Sequence, residues 1–151
     1  MEDHDYMAIA LQEAKASAQR GDVPVGAIIV NPKSGQIIAK AGNAPIAIND
    51  PSAHAEILAI REAAYKLGNY RLGGLTLYTT LEPCTMCAGA ISHARLDRVV
   101  FGADDPKGGA IENGVKFFQS PSCHHRPDVT GHIMAEPCSQ ILKDFFKARR
   151  G

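Results

Sequence analysis

The chain has 151 residues, with 16 Lys and Arg balanced by 16 Asp and Glu, so its formal net charge at pH 7 is zero. That length is ordinary for one domain and buries about two-thirds of the surface an unfolded chain exposes, so a single domain over residues 1–151 is expected. A zero balance argues against attachment to nucleic acid by bulk charge, and no apolar run approaches the roughly 20 residues of a membrane helix. The N-terminus carries Glu2, Asp3 and Asp5 in place of a basic region and an apolar core. With four cysteines and no small disulfide scaffold, we expect no secretory signal and a reducing, cytoplasmic location.

Met7, Leu11, Ala14 and Ala18 keep helical spacing up to Gly21, which predicts a helix over residues 4–20. Two β-rich runs, 25–30 and 36–40, flank Asn31-Pro-Lys-Ser-Gly35 and predict an antiparallel hairpin. Asp50-Pro51-Ser52 opens a second helix, with Asp50 or Ser52 as its N-cap, and Gly68 ends it after Leu67. A strand over 75–80 leads to a third helix that starts at Pro83 and ends near Ala94. Residues 98–101 form a fourth strand, and a Gly- and Asp-rich loop from Gly102 to Gly109 leaves its end as a candidate for substrate contact. A short helix is predicted over 112–118, a fifth strand over 129–134, and a last helix from Pro137. Its apolar stripe is Cys138, Ile141, Leu142, Phe145 and Phe146, and it ends in Lys147-Ala-Arg-Arg150. Strands alternating with helices predict an α/β sheet covered on both faces.

Chemistry concentrates in His54-Ala55-Glu56 and Pro83-Cys84-Thr85-Met86-Cys87. His54, Cys84 and Cys87 supply three metal ligands, and Glu56 is a carboxylate the metal does not need. Structural zinc is closed by four protein ligands, whereas catalytic zinc takes three and leaves the fourth corner to water. Cys84 and Cys87, three apart, share one helix face near its positive end, where thiolates are favoured. His54 and Glu56, two apart, would diverge within a helix, so their cooperation requires the helix's first turn. Mixed His and Cys ligands favour zinc. Two plainer readings are a redox Cys-x-x-Cys and a structural cluster with Cys123 and Cys138. Neither explains the His-x-Glu or the proline before the first cysteine.

Both halves match the H-x-E and P-C-x-x-C pattern of zinc nucleobase deaminases. In that chemistry zinc lowers the pKa of bound water to about 7, the hydroxide attacks the amino-bearing carbon, and Glu56 carries the proton to the ring nitrogen and the leaving amine. Asn43, Thr80-Leu-Glu-Pro-Cys-Thr-Met-Cys87, Gly102-Ala-Asp-Asp-Pro-Lys-Gly-Gly109 and Phe145-Phe146 beside a basic end extend the match. From about Met7 to Arg150 the chain resembles the bacterial tRNA-specific adenosine deaminases. The Asp-Pro-Lys loop and the aromatic-basic C-terminus set it nearer to them than to guanine- or cytosine-acting relatives.

The resemblance implies a cytidine-deaminase-like three-layer α/β/α fold with a five-stranded mixed sheet, a homodimer and one Zn2+ per subunit. It further implies conversion of the anticodon wobble adenosine to inosine in an arginine tRNA, by attack at C6, with the anticodon stem-loop as partner. By position, His54, Cys84 and Cys87 are the ligands and Glu56 the proton shuttle. Asn43 holds the target base through its amide, with Ala55, Asp105, Lys107, Phe146 and Arg150 completing the substrate site. Read without the resemblance, Asn43 is equally a turn residue before Pro45, Asp105 and Lys107 are solvated turn charges, and at least one of the two phenylalanines is core. The chain departs from some relatives in placing Ala41-Gly42 before Asn43, where they carry a bulky aromatic, and in a longer 31–35 loop. Ser122-Cys-His-His125 reads as a loop near the RNA, with Cys123 a small packed residue.

The charge distribution softens the neutral balance: Lys143, Lys147, Arg149 and Arg150 lie on the last helix with only Asp144 against them, a strip able to neutralise phosphates. A base in the anticodon loop is already unpaired and is extruded at low cost. Two other functions stay open: a deaminase of free bases or nucleosides such as guanine or cytosine, and a zinc-stabilised binding module without catalysis.

Overall fold

The computed structural model describes residues 1–150. Its strands are β1 Gly26–Val30, β2 Ile37–Gly42, β3 Thr76–Leu81, β4 Arg98–Ala103 and β5 Asp128–Thr130, and its helices α1 Asp3–Gln19, α2 Ala55–Leu67, α3 Thr85–Ala94 and α4 Ala135–Arg150. The strands form one sheet in the order β2-β1-β3-β4-β5. β1 runs antiparallel to β2 and β3, while β3, β4 and β5 run parallel, so the sheet is mixed as expected.

Alternation along the strands divides the core, because successive side chains point to opposite faces. Ile28, Val30, Tyr78 and Val100 pack with Met7, Ala10 and Ala14 of α1 and Cys138 of α4. Ala27, Ile29, Leu77, Val99 and Phe101 face the other way, against Ala55 and Ala59 of α2 and Ala88 and Ile91 of α3. Helices therefore cover both faces, giving the expected three layers.

Several boundaries differ from the sequence reading. α2 begins at Ala55 rather than Pro51, because residues 50–53 close a turn in which Asp50 accepts from the backbone N–H and hydroxyl of Ser52 at 2.9 and 2.7 Å. Neither Asp50 nor Ser52 is the N-cap; His54 occupies that position with an extended backbone. Pro83 precedes α3 instead of opening it, and Cys84 takes the N-cap position. The helix expected over 112–118 shrinks to a 3-10 turn at Phe117–Gln119. The amides of residues 111–113 bond to the Glu82 carboxylate and are lost to any helix there. β5 stops at Thr130, four residues short of expectation, with His132 at φ 67° beyond it. α4 starts two residues early and carries Pro137 in its first turn, where the missing N–H has no intrahelical acceptor to lose. Gly68 does end α2, at φ 63°.

The N-terminus is stapled to the sheet by one carboxylate. Asp3 accepts both guanidinium nitrogens of Arg98 at 2.9 and 2.7 Å and the Tyr78 hydroxyl at 2.8 Å. The hydrogen-bonded Arg98 is the main influence holding the Asp3 carboxyl below its ordinary value of 3.8. A depressed carboxyl stabilises the fold above its unfolded pKa and loses that contribution as pH falls through the folded one. With both partners about one-third exposed, Asp3→Asn is expected to cost about 1 kcal/mol, a fall in Tm of about 2–4 °C for a chain of this size. Thermal melts should show the deficit at pH 7 and a shrinking one as pH falls below the ordinary carboxylate range and Asp3 takes up its proton; equal melts at pH 7 would sink the assignment.

Candidate metal centre and active-site cavity

The ends of several elements meet at one edge of the sheet. Asn43 follows β2, Asp22 and Val25 precede β1, Glu82 to Cys84 follow β3 and Asp105 follows β4, while α2 and α3 begin there. Between them lies a cavity of about 390 Å³ whose walls include Asn43, His54, Glu56, Cys84, Asp105 and Gly108. This is a usual ligand-site size, placed at the carboxyl ends of parallel strands where α/β sheets bind their ligands.

His54 and Glu56 cooperate because His54 is not helical. Its extended backbone, φ −71° and ψ 151°, turns the imidazole toward α3, while Glu56 sits one residue into the helix. The cap that α2 lacks locally comes from Asn43, whose side-chain oxygen accepts from the Ala55 N–H at 2.8 Å. Asn43 is itself tied down, its N–H to the Val25 carbonyl at 2.9 Å and its carbonyl to the Ser17 hydroxyl at 2.8 Å.

The Sγ atoms of Cys84 and Cys87 each lie 3.5 Å from His54 Nδ1. The three ligand atoms are within 4.8 Å of one another. Tetrahedral zinc, with bonds of about 2.0–2.1 Å to nitrogen and about 2.3 Å to sulfur, sets N and S about 3.6 Å apart, so the donor set fits it. Among the described residues this is the one group of three or more His, Cys, Asp or Glu side chains placed to hold an ion. Cys123 and Cys138 pack on opposite faces of the sheet, which disposes of the four-cysteine cluster.

The electrostatics follow from burial and crowding. The Cys87 thiol donates to Cys84, and with help from His54 this brings Cys84 down to about 4. Cys87 is pushed up by that same bond and by burial, and His54 is raised by its bond to Cys84. A bound cation favours the thiolate at both cysteines. Glu56 is 4% exposed, and burial pushes its carboxyl up to about 7 against the pull of its own backbone N–H and of His54.

The remaining expected site residues are dispersed. Ala55 is fully buried with its N–H given to Asn43. Asp105 lies on the cavity wall and folds back on the amides of Lys107 and Gly108 at 3.2 and 3.0 Å. Lys107 is exposed on the same loop and outside the cavity lining. On α4, Phe145 is half-buried beneath the Arg149 guanidinium, 4.4 Å from its ring centre, whereas Phe146 and Arg150 are exposed and away from the cavity wall. Sequence reasoning gave no role to Asp22 or Glu82. Asp22 is 1% exposed and accepts from the amides of Ile46 and Ala47 on the rim at 2.8 and 3.2 Å. The available signal was an acidic residue close before an apolar strand, a place where a buried carboxylate needs donors.

Residues 1–103 match the family model described as the cytidine and deoxycytidylate deaminase zinc-binding region. The chain is 50% identical over 145 residues to the tRNA-specific adenosine deaminase of Agrobacterium fabrum, covering 96% of this chain and 94% of that protein. It is 44% identical over 149 residues to the one of Bacillus subtilis, covering 99% and 91%. A solved structure from work on A-to-I editing by tRNA:A34 deaminases superposes with a TM-score of 0.89 at 51% identity, covering 91% of this chain and 99% of that one. A guanine deaminase from Nitrosomonas europaea shares the fold, at TM-score 0.77 and 23% identity over 94% and 83% of the two chains. The chain therefore belongs to the cytidine and deoxycytidylate deaminase family, and within it to the group of the tRNA-specific adenosine deaminases. Its cofactor is one Zn2+. No helix among the described residues is long and apolar enough to cross a membrane.

Proposed function

We propose that this chain is a single zinc-dependent deaminase domain that hydrolyses the wobble adenosine of a tRNA anticodon, in an arginine tRNA, to inosine. The observation that carries the reading is a three-ligand cluster opening on a cavity beside a buried carboxyl that is not a ligand. Zinc held by His54, Cys84 and Cys87 would supply the Lewis acidity that makes water a nucleophile at neutral pH. Glu56 takes one proton of the attacking water to the purine ring nitrogen as the C6–O bond forms, then carries the remaining proton of the new C6 hydroxyl to the amine, so that the C6–N bond breaks, ammonia leaves and the C6 carbonyl of inosine remains. Asn43 has Oδ1 committed to Ala55, so it meets the base as a donor through Nδ2. Asp105 and Gly108 form the facing wall. Outside the cavity, Lys107 meets the stem-loop backbone, and Phe146 helps shape the RNA surface with Arg150. The resemblance also supports a homodimer, checked by light scattering, in which a monomeric mass would contradict it. Four cysteines outside any disulfide, two of them zinc ligands in this reading, suit the cytoplasm.

The test is turnover on an arginine-tRNA anticodon stem-loop against adenosine, guanine and cytosine. Inosine at the wobble position is expected, with slow or no turnover of the free compounds. Rapid turnover of a free base with none on the stem-loop would assign the cavity to the alternative class.

A further inference from the structure

Glu82 lies between the end of β3 and the first cysteine, and 2% of it is exposed. Its Oε1 accepts from the Asp105 N–H at 2.9 Å and from the Asn113 side-chain amide at 2.7 Å. Its Oε2 accepts from the successive N–H groups of Ile111, Glu112 and Asn113 at 2.9, 2.9 and 3.0 Å. Three consecutive amides converging on one oxygen form a nest of the kind that elsewhere binds anions. Here the chain supplies its own anion.

One carboxylate thus pins both ends of the loop that leaves β4, with Asp105 at one end and residues 111–113 at the other. The segment strung between includes Gly108, which with Asp105 walls the cavity. Gly109 must be a glycine for this closure, since a Cβ there would overlap the Glu82 carboxyl and lie 2.6 Å from the Asp105 carbonyl oxygen. A second tie, Glu112 to His132 at 2.9 Å, holds the outer side of the same loop.

We propose that Glu82 is a positioning residue that builds the Asp105–Gly108 wall and so sets the affinity for the substrate base, without a part in bond making. The proposal rests on the deaminase reading above. A carboxylate is required because its two oxygens offer about four acceptor sites to five donors. Glutamine would turn an NH2 toward one group of them and leave buried N–H groups unpaired.

Glu82→Gln and the milder Asn113→Ala, which removes only the side-chain donor, separate this role from a merely structural one. The readouts are amide hydrogen exchange, zinc content, and kcat and KM on the stem-loop. For Glu82→Gln, exchange at Asp105, Ile111, Glu112 and Asn113 is expected to quicken about tenfold or more, with sheet amides unchanged. Zinc content should hold, KM should rise about tenfold, and kcat should stay within about threefold. Asn113→Ala should move KM in the same direction by about threefold, and it decides the matter should Glu82→Gln fail to fold. Faster loop exchange with an unchanged KM, or a fall in kcat accompanied by loss of zinc, overturns the proposal. If the wild-type chain is inert on the stem-loop, the proposed function fails on its own, and the KM comparison is made on whichever base the chain does deaminate.

Discussion

Glu56→Ala is expected to retain a full complement of zinc and to bind the stem-loop while losing about 10²–10⁴-fold in kcat. Glu56 stands outside the ligand cluster, so its removal takes nothing from the metal's coordination. It occupies the second position of α2, 4% exposed, on the wall of the cavity that His54 and Cys84 share. A buried carboxyl with no cationic side chain bonded to it is costly to keep, which is a reason to assign it a proton to move. Single-turnover assays with zinc analysis on the same sample make the measurement. Turnover equal to an active wild type would remove Glu56 from the chemistry, and no turnover by either protein would leave the zinc-stabilised binding module.

Cys87→Ala should be as damaging by a different route. Cys87 is fully buried at the third position of α3, and without it the ion keeps two protein ligands, His54 and Cys84. Loss of an outer-sphere partner typically costs about 10–100-fold in metal affinity, and loss of a direct thiolate should exceed that. Because metal bound only by the folded state adds to stability, the wild-type Tm should rise with added zinc and fall with a chelator, whereas the variant's Tm should respond to neither. Cys123→Ser is the control. Cys123 is also buried, but its thiol bonds to the His125 carbonyl at 3.0 Å, away from the cluster, and its substitution should leave zinc stoichiometry intact. A Cys87→Ala protein with stoichiometric zinc and normal turnover would contradict the three-ligand assignment.

The long elements were legible because their periodicity is strong. α1, β1, β3 and α3 fall within a residue or two of their expected positions, and Gly68 stops α2 as its backbone freedom dictates. The expected 112–118 helix does not form for a physical reason, and β5 stops short of 134 where His132 and Met134 take positive φ. The amides of Ile111, Glu112 and Asn113 are satisfied by Glu82, far along the chain, and local spacing carries no trace of such bonds. The start of α2 erred similarly. Asp50 and Ser52 have the composition of an N-cap, but they satisfy each other in a turn, and the acceptor for the Ala55 N–H arrives from Asn43, 12 residues upstream.

The sequence by itself determined the chemistry that depends on residue type: three soft ligands, a surplus carboxylate, and a Cys-x-x-Cys spacing that any helix start would bring onto one ion. Only the tertiary structure decided what depends on the meeting of distant segments. It joined α2 to α3 so that Nδ1 lies 3.5 Å from both sulfurs, it turned His54 out of the helix so that it and Glu56 face one cavity, and it recruited Asn43 and Glu82 to hold the walls. Side-chain identity is written one residue at a time. The pairing of a buried carboxylate with amides more than twenty residues away is set by the sheet's strand order, which no local pattern encodes.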